Sequence, residues 1–397
     1  MGKPKSTKKS REPVRQAQNR QKVKSRVKSD KSLFHVPYSY VIKILPKQRW
    51  LRYTVLILIS IVTLWVGTMY LVARWYIATN AQKPLTLGAS FMPDYAKNFG
   101  LDPQQTLDAI INDLGVKHIR LVSYWDEIEK QPGVYDFSEL AWEFAMAEAG
   151  GAKISLAVGL RQPRWPECHA PNWAQVRSDN MNEWYPKLEK FMTQVVNRYK
   201  NNSALENYQL ENEFFLTAFG ICPDFSRSRL ISEYNLVKRL DPNHTLIVSR
   251  SNNALGLPVG QPTPDQFGVS VYKRVWDKTI THRYYEYPFP AWFYGFLAGA
   301  GKILTGKDMI IHELQAEPWP PSGEIKDNST EELKKSLDAK RLKDRFNYGQ
   351  ATGIRDIYLW GAEEWYYMKV KRGDSSLWDA AKQEFGKAQI ESSKINN

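Results

Sequence analysis

The chain has 397 residues, with 55 Lys plus Arg against 42 Asp plus Glu, and only two cysteines. That length allows one domain of about 250–300 residues with appendages, or two smaller ones. Two cysteines exclude a disulfide-stapled mini-fold and a Cys-rich zinc module, and 14 Trp, 21 Tyr and 16 Phe exclude a largely disordered chain.

The charge is uneven. Residues 1–52 hold sixteen Lys and Arg against Glu12 and Asp30, a net of +14, so the remainder carries a net of −1. The basic excess belongs to this tail, and no nucleic-acid partner is expected for the folded part. Residues 1–32 contain only Val14, Val23 and Val27 as large aliphatics, too few to offset chain entropy, so they are expected to be disordered. Residues 33–52 mix basic and aromatic side chains, which suits a bilayer surface.

Tyr53–Ala73 is uncharged throughout, between Arg52 and Arg74. At about 1.5 Å per residue it reaches roughly 31 Å, enough to cross a hydrocarbon core of about 30 Å. A transmembrane helix over residues 53–73 is predicted, with Trp50 and Trp75 as interfacial anchors. The Lys/Arg excess assigns residues 1–52 to the cytoplasm and everything after residue 78 to the outside. The long basic lead and the long apolar run argue against a cleaved signal peptide. Residues 74–84 read as a linker, 85–387 as the folded domain and 388–397 as a C-terminal tail.

From residue 85 onward, short apolar runs alternate with helix-length amphipathic stretches. The predicted strands are Leu85–Phe91, Lys117–Val122, Ala152–Val158, Glu206–Glu211, Thr245–Ser249, Phe267–Tyr272, Met309–Glu313 and Ile354–Trp360. The first helix opens with Asp102, Pro103 and Gln105, a cap, a first-turn proline and an acceptor, and carries Leu107, Ile110, Ile111 and Leu114 on one stripe. Further helices are predicted over Phe137–Glu148, Met181–Tyr199, Ser226–Leu240, Pro290–Leu304, Glu331–Gln350 and Ser376–Phe385. Eight strands alternating with helices match a closed α/β (β/α)₈ TIM barrel. A doubly wound sheet would carry a Gly-rich first turn, which Gly88-Ala89-Ser90-Phe91-Met92-Pro93 lacks.

A barrel of this kind works at the C-terminal ends of its strands. Strand four ends in Glu211-Asn212-Glu213 and strand seven in His312-Glu313, and the rim is rich in Trp and Tyr, including Trp125, Trp165 and Trp360. Glycoside cleavage needs two carboxyls, one to protonate the leaving oxygen and one to attack the anomeric carbon, and aromatic rings to stack on sugar faces. His118, His169 and His312 form no recognisable metal-ligand spacing, so no metal or other cofactor is expected. Tyr284–Phe296, unusually aromatic, reads either as a cover of the site after strand six or as a segment dipping toward the bilayer surface, and its helical half reads as an ordinary barrel helix with a bulky core face.

With Ile119-Arg120-Leu121, Trp125, Glu129, Pro132-Gly133-Val134-Tyr135-Asp136, Asn212-Glu213, Tyr272, Glu313 and Trp360 in this order, residues 86–387 resemble the clan A retaining glycoside hydrolases. These are the (β/α)₈ group that includes family 5 cellulases and mannanases and family 42 β-galactosidases. The resemblance implies Glu213 as acid/base and Glu313 as nucleophile. It implies Asn212 on the sugar 2-hydroxyl, Arg120 and Tyr272 holding the nucleophile ionised and oriented, and Trp360 as floor of the subsite for the cleaved sugar. Trp125 and Trp165 join these as substrate-binding candidates. Glu317, next to Pro318-Trp319, is assigned to a loop because Ile310-Ile311 puts Glu313 at the strand end. Glu211 and Glu213 share a face by alternation, so the strand must distort or end between them.

Cys168 follows strand three and Cys222 follows strand four. Neighbouring loops on an exported domain make them a candidate disulfide. The whole reads as a membrane-anchored retaining glycoside hydrolase acting on a β-linked oligo- or polysaccharide outside the cytoplasmic membrane. The alternatives are a barrel that binds glycan without cleaving it and a membrane scaffold acting through the basic tail.

Overall fold

The computed structural model describes residues 48–251 and 260–396. The tail over residues 1–32 and most of the interfacial stretch over 33–52 lie outside them. The described residues fall into two units, one ending at Thr63 and one running from Leu64.

A helix of 32 residues, Arg49–Asn80, has a mean hydropathy of 2.4 and leaves nearly all of its apolar side chains exposed. It is long and apolar enough to cross a membrane. It also continues through residues 74–80, which the linker reading had excluded. Along its last three turns Met69, Ala73, Tyr76 and Asn80 are buried, one stripe at helical spacing. Tyr70 meets Trp292 edge-on at 5.7 Å. Gly299 supplies the close approach: a Cβ there would stand 2.9 Å from Val72 and 3.0 Å from Tyr76. Gly299→Val should therefore lower the thermal midpoint in detergent, with a loss of about 1–3 kcal/mol typical of overpacking.

The eight barrel strands are Thr86–Ser90, His118–Leu121, Lys153–Val158, Leu205–Leu210, Thr245–Ser251, Gln266–Val271, Asp308–Gln315 and Asp356–Trp360. Each pairs in parallel with the next, and the eighth closes on the first from Thr86–Asp356 to Ala89–Leu359. Alternation divides their side chains. Leu87, Ala89, Ile119, Leu121, Ile154, Leu156, Tyr208, Leu210, Val269 and Ile311 join the core shared with the helices. The opposite positions mix small and polar residues, of which Ser90, Arg120, Ser155, Gln209 and Ser270 are all buried, with a separate apolar cluster of Ile247, Ile310 and Tyr358; Ser155 donates to Asn207 at 2.5 Å. Gly88 is required there, because a Cβ would meet the Tyr358 ring at 2.7 Å.

The register between strands six and seven slips. Val269 pairs with Ile311 but Ser270 pairs with Glu313, so His312 is an extra residue. A bulge of this kind re-aims the side chains that follow it, here Glu313 at the barrel mouth.

Three elements differ from expectation. The stretch predicted as one helix over Glu331–Gln350 is two, Thr330–Ser336 and Ala339–Ala351, because Asp338 caps the second by accepting from Arg341 N. The last helix runs Ser376–Asn396 rather than stopping at Phe385. Ala388 is buried and Ser392 Oγ bonds both the N–H and the carbonyl of Leu85, so residues 388–396 are not a free tail. The aromatic stretch after strand six forms half of a hairpin, Arg274–Trp276 with Tyr284–Glu286, and then the helix Ala291–Thr305.

Candidate active site

A cavity of about 870 Å³ opens at the C-terminal ends of the strands. Of the predicted site residues, Trp165, Asn212, Glu213, Tyr272, Glu313 and Trp360 line it.

Glu313 is buried, with one donor on each oxygen. Arg120 Nη1 donates to Oε1 at 2.8 Å and Tyr272 OH to Oε2 at 2.8 Å. Arg120 does not line the cavity. It lies beneath the cavity with Nε on Gln209 Oε1 at 2.6 Å and Nη2 on Asn212 Oδ1 at 2.9 Å. One guanidinium thus fixes Glu313 and Asn212 together, the planar fork that Lys could not provide.

Strand four ends at Leu210, and the chain turns sharply. Glu211 and Glu213 both take left-handed backbone, with φ of 54° and 43°, a conformation that costs non-glycine residues about 1–3 kcal/mol. The turn separates two carboxyls that alternation would have put on one face. Glu211 accepts from the Leu160 and Arg161 N–H groups and pairs with Arg229 at 3.0 Å. Glu213 reaches the cavity, its backbone N–H donating to Ser249 Oγ at 2.8 Å. Its Oε1 is buried without a partner among the described residues. Burial, and then the charge of Glu313, push the Glu213 carboxyl up to about 7 against the opposing pull of Ser270, Arg161 and Arg120.

Cys168 and Cys222 form a disulfide with Cα atoms 5.3 Å apart. It joins the loops after strands three and four, where Trp165 and Phe219 meet edge-on at 6.0 Å on the rim.

Trp125 is a correction. It is fully buried, donates to Glu129 Oε2 at 2.7 Å and stacks on Phe191 at 5.9 Å. A short helix begins at this residue and turns the indole into the helical layer instead of the cavity. Trp360 is a partial one. It lines the cavity, but the Arg164 guanidinium lies over its ring at 4.1 Å, so that ring is not a bare platform.

Several cavity residues lie outside the predicted site set, Glu317 and His169 among them as side chains that the sequence reading weighs and assigns to loops. Glu317 is buried and accepts four donors: Arg164 Nη1 and Trp360 Nε1 on Oε1, Arg164 Nη2 and Tyr95 OH on Oε2. It is no ordinary loop side chain. Glu167 accepts from Asn212 Nδ2 at 3.1 Å, and burial lifts its carboxyl to about 8. His169 stacks on Tyr124 at 3.8 Å, and burial lowers it to about 4, a neutral ring near pH 7. The only sequence signal for these was their position just after a barrel strand.

No protein-family model and no curated protein matches the sequence. Solved structures do share its architecture. An exo-β-1,4-mannosidase from Opitutaceae bacterium strain TAV5 aligns at 12% identity and a TM-score of 0.53, over 78% of this chain and 60% of that one. A GH5_18 protein from Streptomyces cattleya, solved in complex with GlcNAc, aligns at 10% identity and 0.52, over 77% and 81%. A GH5_18 protein from Bifidobacterium longum subsp. infantis gives 11% and 0.50, over 77% and 79%. The chain spans about three-fifths of the mannosidase's length. At these identities the likeness establishes the (β/α)₈ fold, one that these glycoside hydrolases share.

Proposed function

We propose that the protein is a retaining glycoside hydrolase held to a membrane by its apolar helix. The observation that carries this reading is the contrast between two carboxyls in one cavity. Glu313 is fixed at both oxygens by Arg120 and Tyr272, while Glu213 is buried, has an unpartnered oxygen and keeps its proton to about pH 7. Two titratable groups pushed apart in this way divide the roles of nucleophile and acid.

In the first step a Glu313 oxygen attacks the anomeric carbon, and Glu213 gives its proton to the departing glycosidic oxygen. In the second, Glu213 takes a proton from water, which cleaves the glycosyl–Glu313 ester and releases the sugar with its configuration retained. Asn212, held by Arg120, faces the same reaction centre. The ring-lined walls at Trp165 and Trp319 offer stacking surfaces for sugar faces.

Glu313 is preferred to Glu317 on lone-pair grounds. A carboxylate has about four acceptor positions. Four donors occupy those of Glu317, whereas Glu313 has two donors and keeps capacity to attack.

The membrane part of the proposal rests on the helix Arg49–Asn80 and the basic residues before it. With residues 1–52 cytoplasmic, the barrel stands outside, a setting in which the Cys168–Cys222 bond persists.

Incubation with 2-fluoro-glycosides of glucose, galactose, mannose and N-acetylglucosamine, followed by intact-mass and peptide analysis, tests the chemistry. One sugar is expected to add a single glycosyl mass on the peptide containing Glu313. Labelling elsewhere, or none while turnover of the parent glycoside is measurable, would contradict double displacement through this residue.

A further inference from the structure

Arg164 and Glu317 meet across the barrel mouth. Arg164 belongs to the loop after strand three and Glu317 to the segment after strand seven, four places apart in a closed ring of eight and therefore opposite each other. Their contact is bidentate, Nη1 to Oε1 at 3.0 Å and Nη2 to Oε2 at 2.9 Å. The guanidinium lies 3.4 Å from the centre of the Tyr95 ring and 4.1 Å from that of Trp360. Tyr95 follows strand one and Trp360 ends strand eight, and both donate to the same Glu317 carboxylate. Four strand ends thus lock one another into a cross-bar.

In the ring order, strand four, which carries Glu213, lies on one side of the line from strand three to strand seven, and strands eight and one, which carry Trp360 and Tyr95, lie on the other. If Glu213 donates its proton to the leaving oxygen, the aglycone must lie on the side of strand four, where Leu216, Ala218 and Phe219 continue the cavity wall. The sugar being released then extends the other way, toward Trp360 and the bar. Asn98 and Phe99, which follow strand one, and Ile325, after strand seven, line the same cavity.

We infer that the Arg164–Glu317 bridge closes the cavity behind a single sugar, so that the enzyme removes terminal residues one at a time and does not cut within a chain. This rests on the glycosidase reading above. A second sugar on that side would have to part a largely buried, bidentate ion pair and replace its charged partners with neutral hydroxyls, an exchange that leaves charge uncompensated. Neither residue touches the reacting atoms. Both act on which substrate fits.

The test uses the full-length protein in detergent with 4-methylumbelliferyl glycosides of the sugar it accepts, as the monoglycoside and as the β-linked disaccharide. The wild-type protein should release fluorophore at once from the monoglycoside. From the disaccharide it should do so only after a lag, with free monosaccharide as the first product. Arg164→Ala and Glu317→Gln, which break the bridge from its two ends, should release intact disaccharide directly and shorten the lag at least tenfold. Direct release of disaccharide by the wild-type protein would overturn the partition while leaving the glycosidase reading in place. An unchanged lag in both variants, each folded by circular dichroism, would overturn it equally. Absence of turnover of every glycoside by the wild-type protein would remove the glycosidase reading and the partition with it.

Discussion

Glu313→Gln should reduce turnover by more than about 10⁴-fold, the scale seen when a nucleophile is removed from a set of residues acting together, while the protein still binds the glycan. The amide keeps the shape of the carboxylate and can still accept from Arg120 through its one oxygen while its NH2 group donates to the Tyr272 hydroxyl, but it cannot form a glycosyl ester. The substitution also has a stability cost. The Arg120–Glu313 pair is buried, with side-chain exposures of 1% and 3%, and removing the anion leaves a buried cation poorly compensated. Breaking one partner of such a pair costs about 3–5 kcal/mol, so the thermal midpoint should fall, and activity must be compared below it. Calorimetry with the accepted oligosaccharide separates the effects: retained affinity with abolished turnover supports the nucleophile role. Full activity in the variant would move that role to another carboxyl, and Glu317, with its four donors, would then need its bridge to Arg164 open in the working state.

Much of this arrangement was legible from the sequence, for a physical reason. Each barrel strand is a short run buried on its outer face by helices and on its inner face by the side chains of the other strands, so Ile119-Arg120-Leu121 and Ile154–Val158 announce themselves by composition and length. The strand ends then locate the mouth and place carboxylates at strands four and seven, while the choice of Glu213 over Glu211, and of Asn212 and Tyr272, came from the resemblance and not from position. What could not be read is what depends on loop paths. Arg164 reaches Glu317 across the full width of the barrel, a contact between residues 153 positions apart that no local pattern encodes. Trp125 obeyed the strand-end rule and was misassigned because a helix begins at once and rotates its indole outward. The stripe Met69, Ala73, Tyr76 and Asn80 was visible in principle at helical spacing, but the strong apolar signal of residues 53–73 set the boundary instead. The bulge at His312 left no trace in the sequence, because alternation alone cannot show where one strand carries an extra residue.

The pH response of Glu213 follows from its position. As the proposed acid it works only while protonated, and its pKa of about 7 predicts an alkaline limb in kcat/KM that falls above about pH 7. Glu213→Gln should lose about 10²–10⁴-fold on a substrate whose leaving group needs a proton. With a dinitrophenyl glycoside, whose leaving group departs unprotonated, the first step should survive and the alkaline limb should vanish. In Glu213→Ala, azide should restore the second step by attacking the glycosyl ester without a general base. The same carboxyl sets a stability slope of opposite use to the protein. Its folded pKa lies above the unfolded value of about 4.3, so the folded state holds a proton that the unfolded state has released. Stability from this group is present below about pH 4 and is lost as pH rises through the interval to about 7. A glutamine cannot ionise and escapes that loss. Glu213→Gln should accordingly melt at the same temperature as the wild-type protein at pH 4 or below it, and higher than the wild type at pH 8, a gain in stability at the expense of activity. Differential scanning fluorimetry across pH 4–8 checks the sign: a midpoint difference that shrinks or reverses toward pH 8 would mean that the folded protein does not hold the Glu213 proton above the ordinary carboxylate range, and the assignment of proton donor would pass to Glu167, the other carboxyl in the cavity lifted as high.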